Sequence, residues 1–262
     1  MTIPSSCALC REPKPLCNSH LLPAFLHRLL KKDQQLVVVA SDNTFLTSKE
    51  ICQHLLCADC ELRFGRAERF CSEVFVQANG QFPLRDVLGR AEVIAEDRLW
   101  SVRRGAVLGD EEVHKLTYFA LSVFWRGSVT KWKYERRELK KNHLGEKYEG
   151  LLRQYLLGEG QVPDSMSLMI LLSNAPKPMP FLHAPISSRY HGYYTHHFSI
   201  PGMQFVLTVG QVRPIGCDEL CVWRSAHRPI VISALPDKDI HEDALRIMRT
   251  SVVSEKLLRR KV

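Results

Sequence analysis

Four cysteines in two matched pairs carry the clearest chemistry of the chain. Cys7-Ala8-Leu9-Cys10 and Cys57-Ala58-Asp59-Cys60 are both C-x-x-C knuckles. Four thiolates can surround one tetrahedral zinc ion, each sulfur about 2.3 Å from the metal. Such a site leaves no open coordination position, so the zinc expected here is structural. Between the pairs lies Asn18-Ser19-His20-Leu21-Leu22-Pro23. An imidazole titrates near neutral pH and can accept a proton from water or bind a metal. The stretch reads as a zinc-stapled finger that displays His20. The competing reading makes His20 structural, hydrogen-bonded to a thiolate or holding the loop.

The elements that must position these residues follow from apolar spacing. Leu22, Phe25, Leu26, Leu29 and Leu30 recur at helical intervals, which predicts a helix over Leu22–Lys32 with Pro23 in its first turn. Gln35–Ala40 is a predicted strand, Ser41-Asp42-Asn43 a turn and Phe45–Thr47 a return strand. Ala58–Gln77 is helical, weakened in the middle by Gly65. A knuckle, a hairpin and a helix bearing the second pair make a treble-clef arrangement. A module this small buries little surface, and structural zinc in such fingers is worth on the order of 10 kcal/mol.

Beyond it, Pro83–Leu157 is mostly helical by pattern. Asp110-Glu111-Glu112 suits a helix start, Leu116–Trp125 a buried helix, and Glu138–Leu157 a helix ended by Gly158 and Gly160. Met166–Leu172, Tyr193–Ile200, Gln204–Val209 and Ile230–Ile232 read as strands, and Asp237–Arg260 as a terminal helix. The expected class is α+β: a treble-clef zinc finger over 1–80, a helical region over 81–160, and a β-rich region with a terminal helix over 161–262. The Pro-rich Ala175–Pro180 stretch is either an internal boundary or a loop within one domain.

The order Cys-x-x-Cys, Ser19-His20-Leu21-Leu22-Pro23, then Leu55-Leu56-Cys57-x-x-Cys60 resembles the zinc-containing HNH endonucleases of the ββα-metal class. A group of bacterial HNH-like proteins with Ser-His-x-x-Pro and Leu-Cys-x-x-Cys-Glu is also similar. The likeness covers roughly residues 5 to 70, about a quarter of the chain. It implies that His20 is the general base that deprotonates water for attack on a phosphodiester, beside a catalytic Mg²⁺ or Mn²⁺ separate from the zinc. The family's aspartate before the base, a ligand of that metal, is Ser19 here, a poorer ligand for a hard cation. Its residue after the last knuckle cysteine is Glu61, which offers the cation a carboxylate oxygen. Its middle asparagine is Cys52, beside Gln53 and His54. A bacterial or mobile-element role, such as defence against phage, follows from the resemblance alone.

The chain has 262 residues, a formal net charge of +8 and ordinary hydrophobic content, which makes a polyanionic partner plausible. Arg126, Lys131, Lys133, Arg136, Arg137, Lys140 and Lys141 alternate with Trp125, Trp132 and Tyr134. Together they offer phosphate contacts and stacking surfaces, or else a solvated helix face with core aromatics. DNA is the expected partner, with RNA or a protein also compatible. No apolar run approaches the roughly 18 residues of a membrane span. No signal-peptide core opens the chain, so a cytoplasmic location is expected. Nine cysteines cannot all pair, and Cys17, Cys52, Cys71, Cys217 and Cys221 read as small buried hydrophobes. His183, His191, His196 and His197 read as surface and core histidines. Two function classes stay open: a zinc-stabilised HNH-like endonuclease, and a non-catalytic zinc module that binds nucleic acid or a protein. A third possibility is that the C-terminal β region binds a small molecule or partner and regulates the finger.

Overall fold

A computed structural model describes residues 6–30, 36–40, 43–47, 50–134, 137–138, 144–178, 181–190 and 192–233. It is a mixed α+β structure with five α-helices among the described residues and a large sheet. The predicted terminal helix over Asp237–Arg260 lies outside the described residues, as does His191.

The N-terminal part is a two-stranded ribbon and a helix. β1 (Leu16–His20) pairs antiparallel with β4 (Cys52–Cys57), which runs directly into α2 (Ala58–Val74). Between the ribbon strands the chain makes α1 (Ala24–Leu30) and the hairpin strands β2 (Leu36–Ala40) and β3 (Asn43–Thr47). The sequence pattern correctly places that hairpin, but not its partner. β2 lies parallel to β10 (Phe181–Tyr190), with Phe181 opposite Val37, so the hairpin extends the large sheet. The ribbon beside the cysteines is β1–β4 instead.

The segment expected to be helical holds α3 (Pro83–Gly89), α4 (Asp110–Val129) and α5 (Glu146–Leu157). It also holds the hairpin β5 (Val93–Glu96) and β6 (Trp100–Arg104), and the two-residue strands β7 (Lys133–Tyr134) and β8 (Arg137–Glu138). The expected helix from Glu138 therefore starts only at Glu146. Gly158 ends it in the left-handed region (φ 78°), its N–H bonded to the carbonyls of Gln154 and Tyr155, a conformation glycine adopts without a Cβ penalty.

The C-terminal strands β9 (Met166–Ser173), β11 (Tyr193–Ile200), β12 (Met203–Gly210) and β13 (Pro229–Ser233) agree with the predicted ones. The nine-stranded order is β3-β2-β10-β11-β12-β9-β13-β6-β5, antiparallel except at β2–β10 and β9–β13. It takes strands from all three predicted segments. One cluster of buried side chains likewise runs from Cys7 to Ile230. At its centre α4 packs on α2, α5 and the sheet strands β10 and β11. Phe119 on α4 meets Phe75 edge-on at 5.3 Å and Phe205 at 5.8 Å, while Phe124 meets Phe198 at 4.9 Å. No described helix is long and apolar enough to cross a membrane.

Candidate metal centre

The first knuckle is shaped by backbone hydrogen bonds. Cys7 N–H donates to the Glu12 carbonyl and Arg11 N–H to the Cys7 carbonyl, with Arg11 at a positive φ of 66° to close the turn. Ala8 N–H donates to the Leu55 carbonyl and so ties the knuckle to β4. The second knuckle needs no separate loop. Cys57 ends β4 and caps α2, and Cys60 lies in the first helical turn.

The four sulfurs of Cys7, Cys10, Cys57 and Cys60 lie within 4.8 Å of one another, and Cys10 Sγ is 3.8 Å from Cys57 Sγ. Four sulfurs bound to one tetrahedral zinc ion stand ~3.8 Å apart, so the donor set fits a structural zinc. Cys57 N–H also donates to Cys7 Sγ at 3.3 Å. Burial opposes ionisation of Cys7, yet N–H groups of Cys57, Cys10 and Leu9 outweigh it and bring its pKa down to about 7. Burial raises Cys10 and Cys60 instead, with neighbouring sulfurs adding to the effect. Cys10 and Cys60 thus resist ionising, and a divalent cation supplies the charge that favours their thiolates.

None of the nine cysteines is disulfide-bonded. Cys71 and Cys221 are buried as expected, and Cys17 and Cys217 half-buried. Cys52 differs. The ribbon register sets His20 directly opposite Cys52 and Asn18 opposite His54. Opposed residues share a face, and this is the outer one: Asn18 and His54 are exposed, His20 and Cys52 half-buried. Glu50 closes on the same place, its Oε2 2.5 Å from His20 Nε2. The ligand atoms of His20, Glu50 and Cys52 all lie within 4.8 Å of one another. Glu50 was missed from the sequence because a single glutamate in a strand connection carries no pattern.

The opposite face of β1 explains Ser19. It is fully buried, and its Oγ accepts the N–H of Leu56 at 3.1 Å. Ser19 is therefore a clamp between the ribbon strands. Ser19→Ala is expected to destabilise the chain by about 1–3 kcal/mol, the cost of leaving a buried N–H without an acceptor, read as a lower midpoint in urea unfolding.

The backbone at His20 is held from behind. Arg126 donates from Nη1 to the His20 carbonyl at 3.0 Å and from Nη2 to Glu68 Oε1 at 2.9 Å. It is 1% exposed and lies over the Phe64 ring. Arg126 is thus an interior residue and must be removed from the phosphate-contact set. The expected stacking surfaces change for the same reason. Trp125 and Trp132 are buried, and Trp132 Nε1 donates to the Arg126 carbonyl. Lys131 and Lys133 are exposed, Lys131 near Glu138 at 3.4 Å. Arg137 lies on β8, while Arg136, Lys140 and Lys141 fall outside the described residues.

Glu61 sits in the first turn of α2 and, among the described residues, joins neither metal-competent group, and its buried Oε1 has no hydrogen-bond partner among them. His183 is buried and stacked on His197 at 5.4 Å, and burial lowers its pKa to about 3, so it is neutral. His196 is buried with Nδ1 2.8 Å from Ser187 Oγ.

Comparison with protein-family models, with curated proteins and with solved structures returned no match. The candidate function therefore rests on the residues and geometry above.

Proposed function

We propose that the chain is a zinc-stapled, HNH-like endonuclease that hydrolyses phosphodiester bonds of DNA, with its reaction centre on the outer face of the β1–β4 ribbon. The observation that carries this reading is the 2.5 Å contact between His20 and Glu50. An imidazole held by a carboxylate has a fixed ring orientation, as in the His–carboxylate pairs that activate water. The succession β1, β4 and α2 beside the four-cysteine cluster supports a ββα reading. The aspartate expected before the base is Ser19, but Glu50 brings a carboxylate to the same histidine from the facing strand connection. That carboxylate also replaces Glu61 as the oxygen donor for a divalent cation. In the reaction the water oxygen bonds to phosphorus, the ester P–O bond breaks, and a proton is delivered to the departing alkoxide oxygen.

The net charge of +8 favours approach of a polyanion, with Lys131 and Lys133 as exposed contacts. A second reading, a zinc module that binds nucleic acid or a protein without cleaving, is favoured by one observation: Ser19 is committed to the fold and offers no ligand.

The test is nicking of supercoiled plasmid with added Mg²⁺ or Mn²⁺. His20→Ala is expected to lower the rate by about 10²–10⁴-fold, the usual contribution of a positioned acid–base group. The variant must keep its four-cysteine zinc. Nicking that is equal in both proteins would assign the activity elsewhere.

A further inference from the structure

We propose that His20, Glu50 and Cys52 hold a second metal ion, of the zinc class, on the outer face of the ribbon. The inference deepens the proposed function by naming the cation at the same centre, and rests on that reading only for the cation's catalytic use. Three observations carry it. The ribbon register makes His20 and Cys52 directly opposed neighbours on one face. The Leu21 N–H to Ile51 carbonyl bond at 3.0 Å then holds Glu50 at the mouth of the same pair. The three ligand atoms converge within 4.8 Å, and all three residues are half-buried, shielded yet reachable.

The donor set decides the metal. One imidazole nitrogen, one carboxylate oxygen and one thiolate sulfur suit zinc or cobalt, whereas magnesium takes oxygen ligands and water. This departs from the Mg²⁺ or Mn²⁺ that the resemblance implies, and Cys52 is the reason. Two donors on one tetrahedral ion sit ~3.3 Å apart, so the 2.5 Å His20–Glu50 contact must open by roughly 0.8 Å. A small side-chain rotation of Glu50 achieves that. Three protein ligands leave a fourth position for water, the pattern of catalytic rather than structural zinc. With such an ion bound, His20 would serve as a ligand in place of the base role proposed above, and the ion would supply the activation of water.

The site is read by metal content of the full chain after dialysis against zinc, and by the absorption spectrum after cobalt exchange. The wild-type protein is expected to hold two ions. Cys52→Ala and Glu50→Gln should each hold one, with the four-thiolate cobalt spectrum retained in both. That retained spectrum also shows that the fold survives. One ion in the wild type, or two in both variants, overturns the second site. Nicking is scored separately: His20-dependent cleavage by a one-ion protein with Mg²⁺ removes this site and keeps the nuclease. Two ions without cleavage keep the site and remove the nuclease.

Discussion

Cys57→Ser should strip the four-cysteine site of its zinc and unfold the ribbon and α2 together. Cys57 ends β4, caps α2, donates its N–H to Cys7 Sγ and places its own sulfur 3.8 Å from Cys10. Structural zinc is worth on the order of 10 kcal/mol in small fingers, comparable with the whole net stability of a domain. At roughly 2–4 °C per kcal/mol for a chain of this size, the thermal midpoint falls by about 20 °C or more. The loss spreads because Cys7, Cys57 and Cys60 belong to the same buried cluster as Phe64 and Phe119. A chelator should lower the wild-type midpoint by a similar amount and leave the variant unchanged. A variant that melts within a few degrees of the wild type would show that the cysteines are only packed.

Arg126→Ala carries the next largest expected effect, about 3 kcal/mol, because it removes a buried guanidinium and leaves the half-buried Glu68 carboxylate without its counter-charge. Glu68 loses the guanidinium, the His20 carbonyl loses its donor, and the Phe64 ring loses the group that covers it. Arg126→Lys should recover little, since an ammonium cannot reproduce the planar fork that serves both acceptors. The double variant Arg126→Ala with Glu68→Ala should be more stable than the sum of the single losses, because the stranded charge is gone. Urea unfolding of the four proteins measures this coupling. Additive losses would mean that the pair is not an interaction in the folded chain.

The features legible in the sequence are those whose cause is local. Two residues between cysteines fix a knuckle, an apolar run from Leu116 to Trp125 fixes a buried helix, and Gly158 marks a helix end. Apolar strands after Met166, separated by Pro and Gly turns, were also readable. β10 was not, because Pro185 interrupts its pattern; the strand bulges between His183 and Ile186, where the proline lacks a ladder N–H. β5 gave no signal because Val93–Glu96 are all exposed and show no alternation.

At the centre, His20 was found from its motif, whereas its partners depend on pairing across the ribbon. Cys52 looked like a spare buried cysteine until the register set it opposite His20. Glu50 and Arg126 are charged residues whose role exists only in three dimensions, one on the open face and one behind the backbone. A basic run seen in sequence cannot reveal that its first member points inward.

The most direct test of the central claim is the initial rate of plasmid nicking by the wild type, His20→Ala and Glu50→Ala, each shown to carry the four-cysteine zinc and compared with added Mg²⁺, Mn²⁺ and Zn²⁺. The account predicts nicking by the wild type that falls at least about 100-fold in both variants. Undiminished nicking in His20→Ala, or no nicking by the wild type with any of the three metals, would contradict it.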